Sequence, residues 1–214
     1  MSIYLARNGK MLTRLNGSRY FGSDASPVPP GPTPGEVTIG NQTWMSTNLA
    51  VDDGGDGIAT KVVNYGYGDV VEYYYSWPAA VRLANSIEGW HLPSVEEYDT
   101  LASNVGGESH AGTKLKSTYG WDPAYYAGTD DYGFCALPAG IGTRYTSGVL
   151  ELYDFGGEAN FWTSSNTTGT GGDYAVCKYF NGTLSMNAQS LGKYGESEGK
   201  YGAYCTVRLI KDQQ

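Results

Sequence analysis

The chain has 214 residues, 40% of them hydrophobic and 17% charged, with 31 Gly, 19 Tyr and a net charge of −8. The hydrophobic share suffices for a core, and the Gly and Tyr excess favours turns and half-buried strands over a helical bundle. Residues 1–22 hold Arg7, Lys10, Arg14 and Arg19 and no acid, so the rest carries −12, and an acidic body excludes nucleic acid as its partner.

In chain order, Ile3–Ala6 and Met11–Leu15 flank Asn8-Gly9, a two-residue hairpin signal. Residues 1–22 therefore form a small β-hairpin, an assembly segment too small to stand alone. Residues 23–35 carry Pro27, Pro29, Pro30, Pro32 and Pro34 and make an extended, semi-rigid linker. The remaining 36–214 form one domain. It opens with a strand at Val37–Ile39 and a second after Asn41. A helix is predicted over Trp77–Ile87, where Pro78 suits the first turn and Trp77, Ala80, Val81 and Ala84 share a face. Another starts at Ser94 with Glu97 three residues on, a capping box, and buries Val95, Tyr98, Leu101, Ala102 and Val105. No further helix is expected. Short strands are expected at 133–138, 149–154, 160–164, 174–180 and 203–210, with 181–202 as a long Gly-, Ser-, Asn- and Tyr-rich loop. Two early helices before an irregular antiparallel β-rich half make the fold class α+β.

Chemistry is sought and not found. Cys135, Cys177 and Cys205 are odd in number and lack metal-ligand spacing, so they are expected as free thiols. Asp52-Asp53-Gly54-Gly55-Asp56-Gly57 is a turn before it is a calcium loop, because Gly54 and Val63 stand where ligands are needed. His91 and His110 lack a nucleophile-elbow phrase. Glu96 and Glu97 suit the first turn of their helix. No catalytic residue, cofactor or metal is expected. No apolar leader follows Met1 and no apolar run is long enough to insert in a membrane, so synthesis is expected in the cytoplasm without a signal peptide.

Five phrases recur in a fixed order. They are Ile39-Gly40-Asn41-Gln42-Thr43-Trp44-Met45 with Asn48-Leu49; Gly89-Trp90-His91-Leu92-Pro93-Ser94; Gly133-Phe134 with Ala136-Leu137-Pro138-Ala139-Gly140; Phe161-Trp162-Thr163-Ser164-Ser165; and Thr206-Val207-Arg208-Leu209-Ile210-Lys211-Asp212. Together they resemble the Fibrobacter succinogenes major paralogous domain family, a branch of the C-type-lectin-like fold, over about 37–212. Trp44, Trp90 and Trp162 are expected as buried anchors with satisfied indole N–H groups. Gly89 is expected at a close backbone approach, Arg208 on an internal acid or on carbonyls, and His91 in a structural place.

The family is also similar to variable proteins of phages that retroelements diversify. In those, the stretch between the Phe-Trp-Ser-Ser phrase and the closing Val-Arg lines the binding face, and here that stretch is 166–205. The resemblance implies a non-catalytic protein that grips a host cell-surface protein or glycan. Its ligand-binding residues would be Tyr174, Tyr179, Asn181, Ser185, Asn187, Gln189 and Tyr194. Strand alternation puts Tyr174 and Tyr179 on opposite faces and leaves open which faces outward. Family members often carry a Cys before the Gly-Trp-His phrase and another near the end, both missing here. That loss, the absent leader, the basic hairpin and the Pro-rich spacer fit a phage tail or fibre tip, on a virion, trimeric by analogy. The alternatives are a structural or assembly subunit, a fixed-ligand bacterial adhesin, and an oxidase of the formylglycine-generating type.

Overall fold

A computed structural model describes residues 4–7, 10–15, 18–19, 35–125, 127–144, 149–169, 172–183, 185–192 and 202–213. At the N-terminus β1 (Tyr4–Arg7), β2 (Lys10–Leu15) and β3 (Ser18–Arg19) pair antiparallel in that order. The β1–β2 register closes on Arg7 opposite Lys10, the spacing a two-residue turn requires. Asn8-Gly9 itself, and most of the Pro-rich linker, lie outside the described residues.

The domain that follows closes on itself through its two ends. Strands β4 (Glu36–Ile39) and β5 (Gln42–Met45) form a hairpin, and the last strand, β15 (Ile210–Lys211), lies between β5 and β8 (Trp90–His91). A hairpin the sequence did not announce, β6 (Ile58–Asn64) and β7 (Asp69–Tyr75), leads into α1 (Trp77–Ala84). The helix buries Ala79, Ala80, Leu83 and Ala84. It stops three residues before Ile87 because the Ser86 hydroxyl donates to the Leu83 carbonyl, while Ser86 N and Ile87 N close tight three-residue turns. In α2 (Val95–Asn104) both halves of the capping box form: Glu97 N donates to Ser94 Oγ, and Ser94 N donates to the Glu97 carboxylate.

A third helix, α3 (Glu108–Leu115), corrects the expectation of two. Gly112 inside it depresses its local propensity, Gly107 stands at its N-cap, and burial of Ala111 and Leu115 in the core offsets the cost. The strand expected at 133–138 does not form. Cys135 has φ +52°, a left-handed conformation that breaks a ladder, and only Ala136 makes an isolated bridge, to Lys116.

The expected strand 149–154 is β10 (Leu150–Tyr153), at the edge of a sheet with β9 (Ile141–Arg144) and β14 (Gly202–Tyr204). The strand expected at 203–210 is divided between β14 and β15. Between them residues 205–209 stitch sheets together, as Met45 N and Leu49 N donate to the Leu209 and Val207 carbonyls and Cys205 bridges Tyr75. The other expected strands are β11 (Ala159–Gly169) and β12 (Gly172–Phe180).

Among the described residues three apolar clusters fill the interior, the smallest made of Tyr74, Ala139, Leu150 and Tyr204. One gathers Trp44, Tyr98, Leu101, Phe134, Phe161 and Phe180 under α2 and α3. Another joins Met45, Tyr75, Leu83, Trp162, Cys177 and Val207 under α1. Trp44 and Trp162 are fully buried, but Trp90 is half-buried and covers its sheet edge from outside. Trp162 Nε1 donates to the Tyr75 carbonyl at 2.7 Å, whereas Trp44 Nε1 finds no acceptor among the described residues. Gly89 is needed for its φ of +78° and not for a close approach, since nothing lies within 4 Å of where its Cβ would be. At Gly140 both constraints hold: φ is +72°, and a Cβ would sit 2.3 Å from the Tyr153 carbonyl oxygen.

Candidate binding face

The stretch expected to bind ligand is not a loop throughout. Met186–Gly192 is a strand, β13, paired with β12 along its whole length from Phe180↔Met186 to Tyr174↔Gly192. Its Ala, Gln, Ser and Asn residues have little strand propensity and give no apolar alternation. The pairing edge of β12 makes it a strand.

Sheet β11-β12-β13 is covered unequally on its two faces. Phe161, Lys178, Phe180 and Met186 point toward α2 and α3, where Lys178 is 3% exposed and its ammonium meets the Asp99 carboxylate. Trp162, Ala175 and Cys177 point toward α1 and the 205–209 segment. Beyond this second apolar patch the same face continues as a polar row. Register places Asn160, Tyr179 and Asn187 side by side across the three strands, with Gln189 beside Cys177 one pair further along.

Asn160 is the buried floor of this row. Its Oδ1 accepts from Gln189 Nε2 at 3.1 Å, and its Nδ2 donates to the Glu158 carboxylate. Partial burial raises the Glu158 pKa above its ordinary value, against the hydrogen bond from Asn160. Tyr179, Asn187 and Gln189 are half-buried, with part of each side chain open to solvent. Three of the seven expected residues are therefore brought together on one rigid face.

The others are elsewhere. Tyr174 is 38% exposed on the opposite face, at the far end of β12. Asn181 and Ser185 belong to the β12–β13 turn. The Asn181 side chain accepts from both the amide and the hydroxyl of Thr183, and Ser185 N donates to that hydroxyl, so the pair closes the turn. Tyr194 lies outside the described residues. Sequence reasoning missed Asn160 and Glu158. Alternation along β11 from the Phe-Trp phrase could have placed Asn160 on the face of Trp162.

The turn is anchored from beneath by Lys116. This lysine is fully buried, donates to the carbonyls of Tyr125 and Asn181 at 3.0 and 3.1 Å, and lies over the Trp121 ring at 4.3 Å. No carboxylate pairs with it among the described residues, and burial lowers its pKa to about 8.

The remaining titratable candidates are structural in geometry. His91 sits between Asp212 (Nδ1, 2.6 Å) and Glu97 (Nε2, 2.7 Å), tying the chain end to the α2 cap. Partial burial opposes the charged ring, but the hydrogen bonds to Glu97 and Asp212 outweigh it and raise the pKa. Arg208, fully buried, donates to the carbonyls of Met45, Phe134 and Cys135 and to Asn48 Oδ1. Asn48 in turn donates to buried Glu72, which also accepts from Tyr65. The expected pairing of Arg208 with carbonyls is found, and the acid is reached through Asn48. Asp52 and Asp53 close turns onto Gly54 N and Gly55 N, and Asp53 also binds Arg82, which with burial opposing it holds the Asp53 pKa low. Among the described residues no group of three or more His, Cys, Asp or Glu is placed to hold a metal.

The family model described as the Fibrobacter succinogenes major domain matches residues 37–211, so the chain belongs to that family. No curated protein and no solved structure matches the chain.

Proposed function

We propose, from membership of the Fibrobacter succinogenes major domain family, that the domain is a C-type-lectin-like scaffold that binds a ligand and catalyses nothing. The ligand is a host cell-surface protein or glycan. The protein acts as a receptor-binding tip of a phage-like particle, with 166–205 as a diversifiable face. The observation that carries the reading is the row Tyr179, Asn187 and Gln189. These are one aromatic and two amides, half-open to solvent and fixed by strand register over the buried Asn160. Tyr offers a large contact area with little side-chain entropy to lose, and amides adapt their hydrogen bonding to the partner. A rigid sheet beneath them lowers the ordering cost of binding. The buried position of Cys177 restricts the diversifiable residues to this row, the turn and the segment that follows β13.

The test is binding of the labelled chain to host cells, comparing wild type with Tyr179→Ala, Asn187→Ala and the pair. Neither side chain is fully buried, so the fold should persist, as far-ultraviolet circular dichroism would report. Loss of binding by about tenfold or more in the double variant is expected if both are anchors. Unchanged binding by a folded double variant would overturn the reading in favour of a structural or assembly subunit.

A further inference from the structure

Away from the β11-β12-β13 row, three segments distant in sequence form an aromatic surface. They are the β6–β7 hairpin tip, the 119–125 segment and the loop after β10. Tyr67, 80% exposed, meets Tyr119 edge-on with ring centroids 4.7 Å apart. Buried Tyr65 packs on Phe155 at 5.4 Å, and its ring lies 3.0 Å from where a Gly120 Cβ would be. Tyr125 closes the row: its ring covers the Cα positions of both Gly157 and Gly182. Tyr67, Tyr125 and Phe155 are all more than one-third exposed. The surface is held from inside, since the Tyr65 hydroxyl donates to Glu72 and the Tyr125 carbonyl accepts from Lys116. An exposed apolar surface that is fixed in place marks an interaction site more often than chance exposure does.

Its charge is one-sided. The segments 64–69, 119–125 and 151–158 contain Asp69, Asp122, Glu151, Asp154 and Glu158 and no Lys or Arg. A partner must therefore be cationic and able to lie against aromatic faces, as Arg and Lys side chains do. The same chain supplies one. Residues 1–22 carry Arg7, Lys10, Arg14 and Arg19 without an acid, in a three-stranded sheet.

We infer that this acidic aromatic surface docks the basic N-terminal sheet of a neighbouring copy of the chain. A neighbour fits better than the same chain because of the spacer's composition. Five prolines in 23–35 favour a semi-rigid segment with a reach of about 40 Å. A domain of this size has a radius of gyration of roughly 16 Å, so a spacer with that reach can span to a neighbouring copy. Docking links copies head to tail.

Sedimentation equilibrium of the full chain over a concentration series, at low and at high salt, tests the proposal. Association should appear at low salt and weaken as salt rises, because exposed charge pairs are screened. Reversing charge on the basic side (Lys10→Glu with Arg14→Glu) or on the acidic side (Asp69→Lys with Glu151→Lys) should each weaken association about tenfold. Combining the two pairs should restore it, and Tyr67→Ala should weaken it without touching any charge. Tyr67, Asp69 and Glu151 are exposed, and circular dichroism checks that each variant folds. A chain that stays monomeric at every concentration overturns the proposal, including by docking on itself. Association that survives either reversal, or that the combined variant fails to restore, overturns it as well. Host-cell binding by the Tyr67 variant is independent of this outcome and reports on the other face alone.

Discussion

Removing the ammonium of Lys116 should abolish a rise of stability with pH. In the folded chain burial lowers this group to about 8, while in the unfolded chain a lysine titrates near 10.4. Between those values the unfolded state holds a proton that the folded state has released, so the contribution of this group to stability increases with pH. Integrated from about pH 7.5 to about pH 9.5, the gain is about 2 kcal/mol. Thiols act in the opposite sense inside this window, because burial raises Cys135 and Cys205 while unfolded thiols titrate at about 8.5, and tyrosines do so above it. Burial raises Tyr65, Tyr74, Tyr75 and Tyr98, and pushes Tyr119 up to about 12. Unfolded tyrosines lose their protons near pH 10, so stability falls there.

Lys116→Met keeps the stem and removes the charge. It relieves a desolvation penalty of about 3 kcal/mol, the size of the shift. It also leaves the Tyr125 and Asn181 carbonyls without their donor, at about 1–3 kcal/mol each, so the net change at neutral pH is small or unfavourable. The diagnostic is the slope. Urea unfolding at pH steps across the window should show the variant losing about 2 kcal/mol relative to wild type as pH rises, the difference isolating Lys116 from the thiols and tyrosines. Parallel curves for the two proteins would refute a buried, charge-strained Lys116.

His91 should show the reverse sign: its pKa is raised, so its contribution is complete below the unfolded value near 6.5 and disappears as pH climbs through the folded one; His91→Gln should remove that dependence, and urea midpoints at several pH values would check it. A thiol reagent should find at most one group in the native chain, Cys135, slowed because burial raises its pKa despite the Tyr119 hydrogen bond, and three in denaturant. Rapid native labelling of all three would contradict the burial of Cys177 and Cys205, whose sulfurs lie 3.9 Å apart at 0% exposure. Ser94→Ala should lose the acceptor for Glu97 N and cost about 1 kcal/mol, seen as a lower unfolding midpoint with an unchanged slope.

The sequence by itself determined whatever local chemistry decides. Ser94 and Glu97 specify a helix start through hydrogen bonds within four residues, and Asn8-Gly9 as a sequence predicts the two-residue spacing at which Arg7 pairs with Lys10. The five ordered phrases marked the family because they hold residues with no substitute in place. Trp162 fills the core against Tyr75, Arg208 collects carbonyls from distant segments, and Gly140 occupies a position a Cβ would clash in.

Tertiary structure decided what depends on partners far away in the chain. Helix α3 exists although Gly112 within it argues against it, because Ala111 and Leu115 find a core to enter. Strand β13 has no apolar alternation and is ordered by the open edge of β12. Which side of β12 offers Tyr179 to solvent is fixed by α2 and α3 taking Lys178 and Phe180 on the other side, and no spacing within 174–180 contains that information. The same holds for the acidic aromatic surface. Tyr67, Tyr119 and Phe155 come from three separate turns, and only the packing of those turns makes them neighbours.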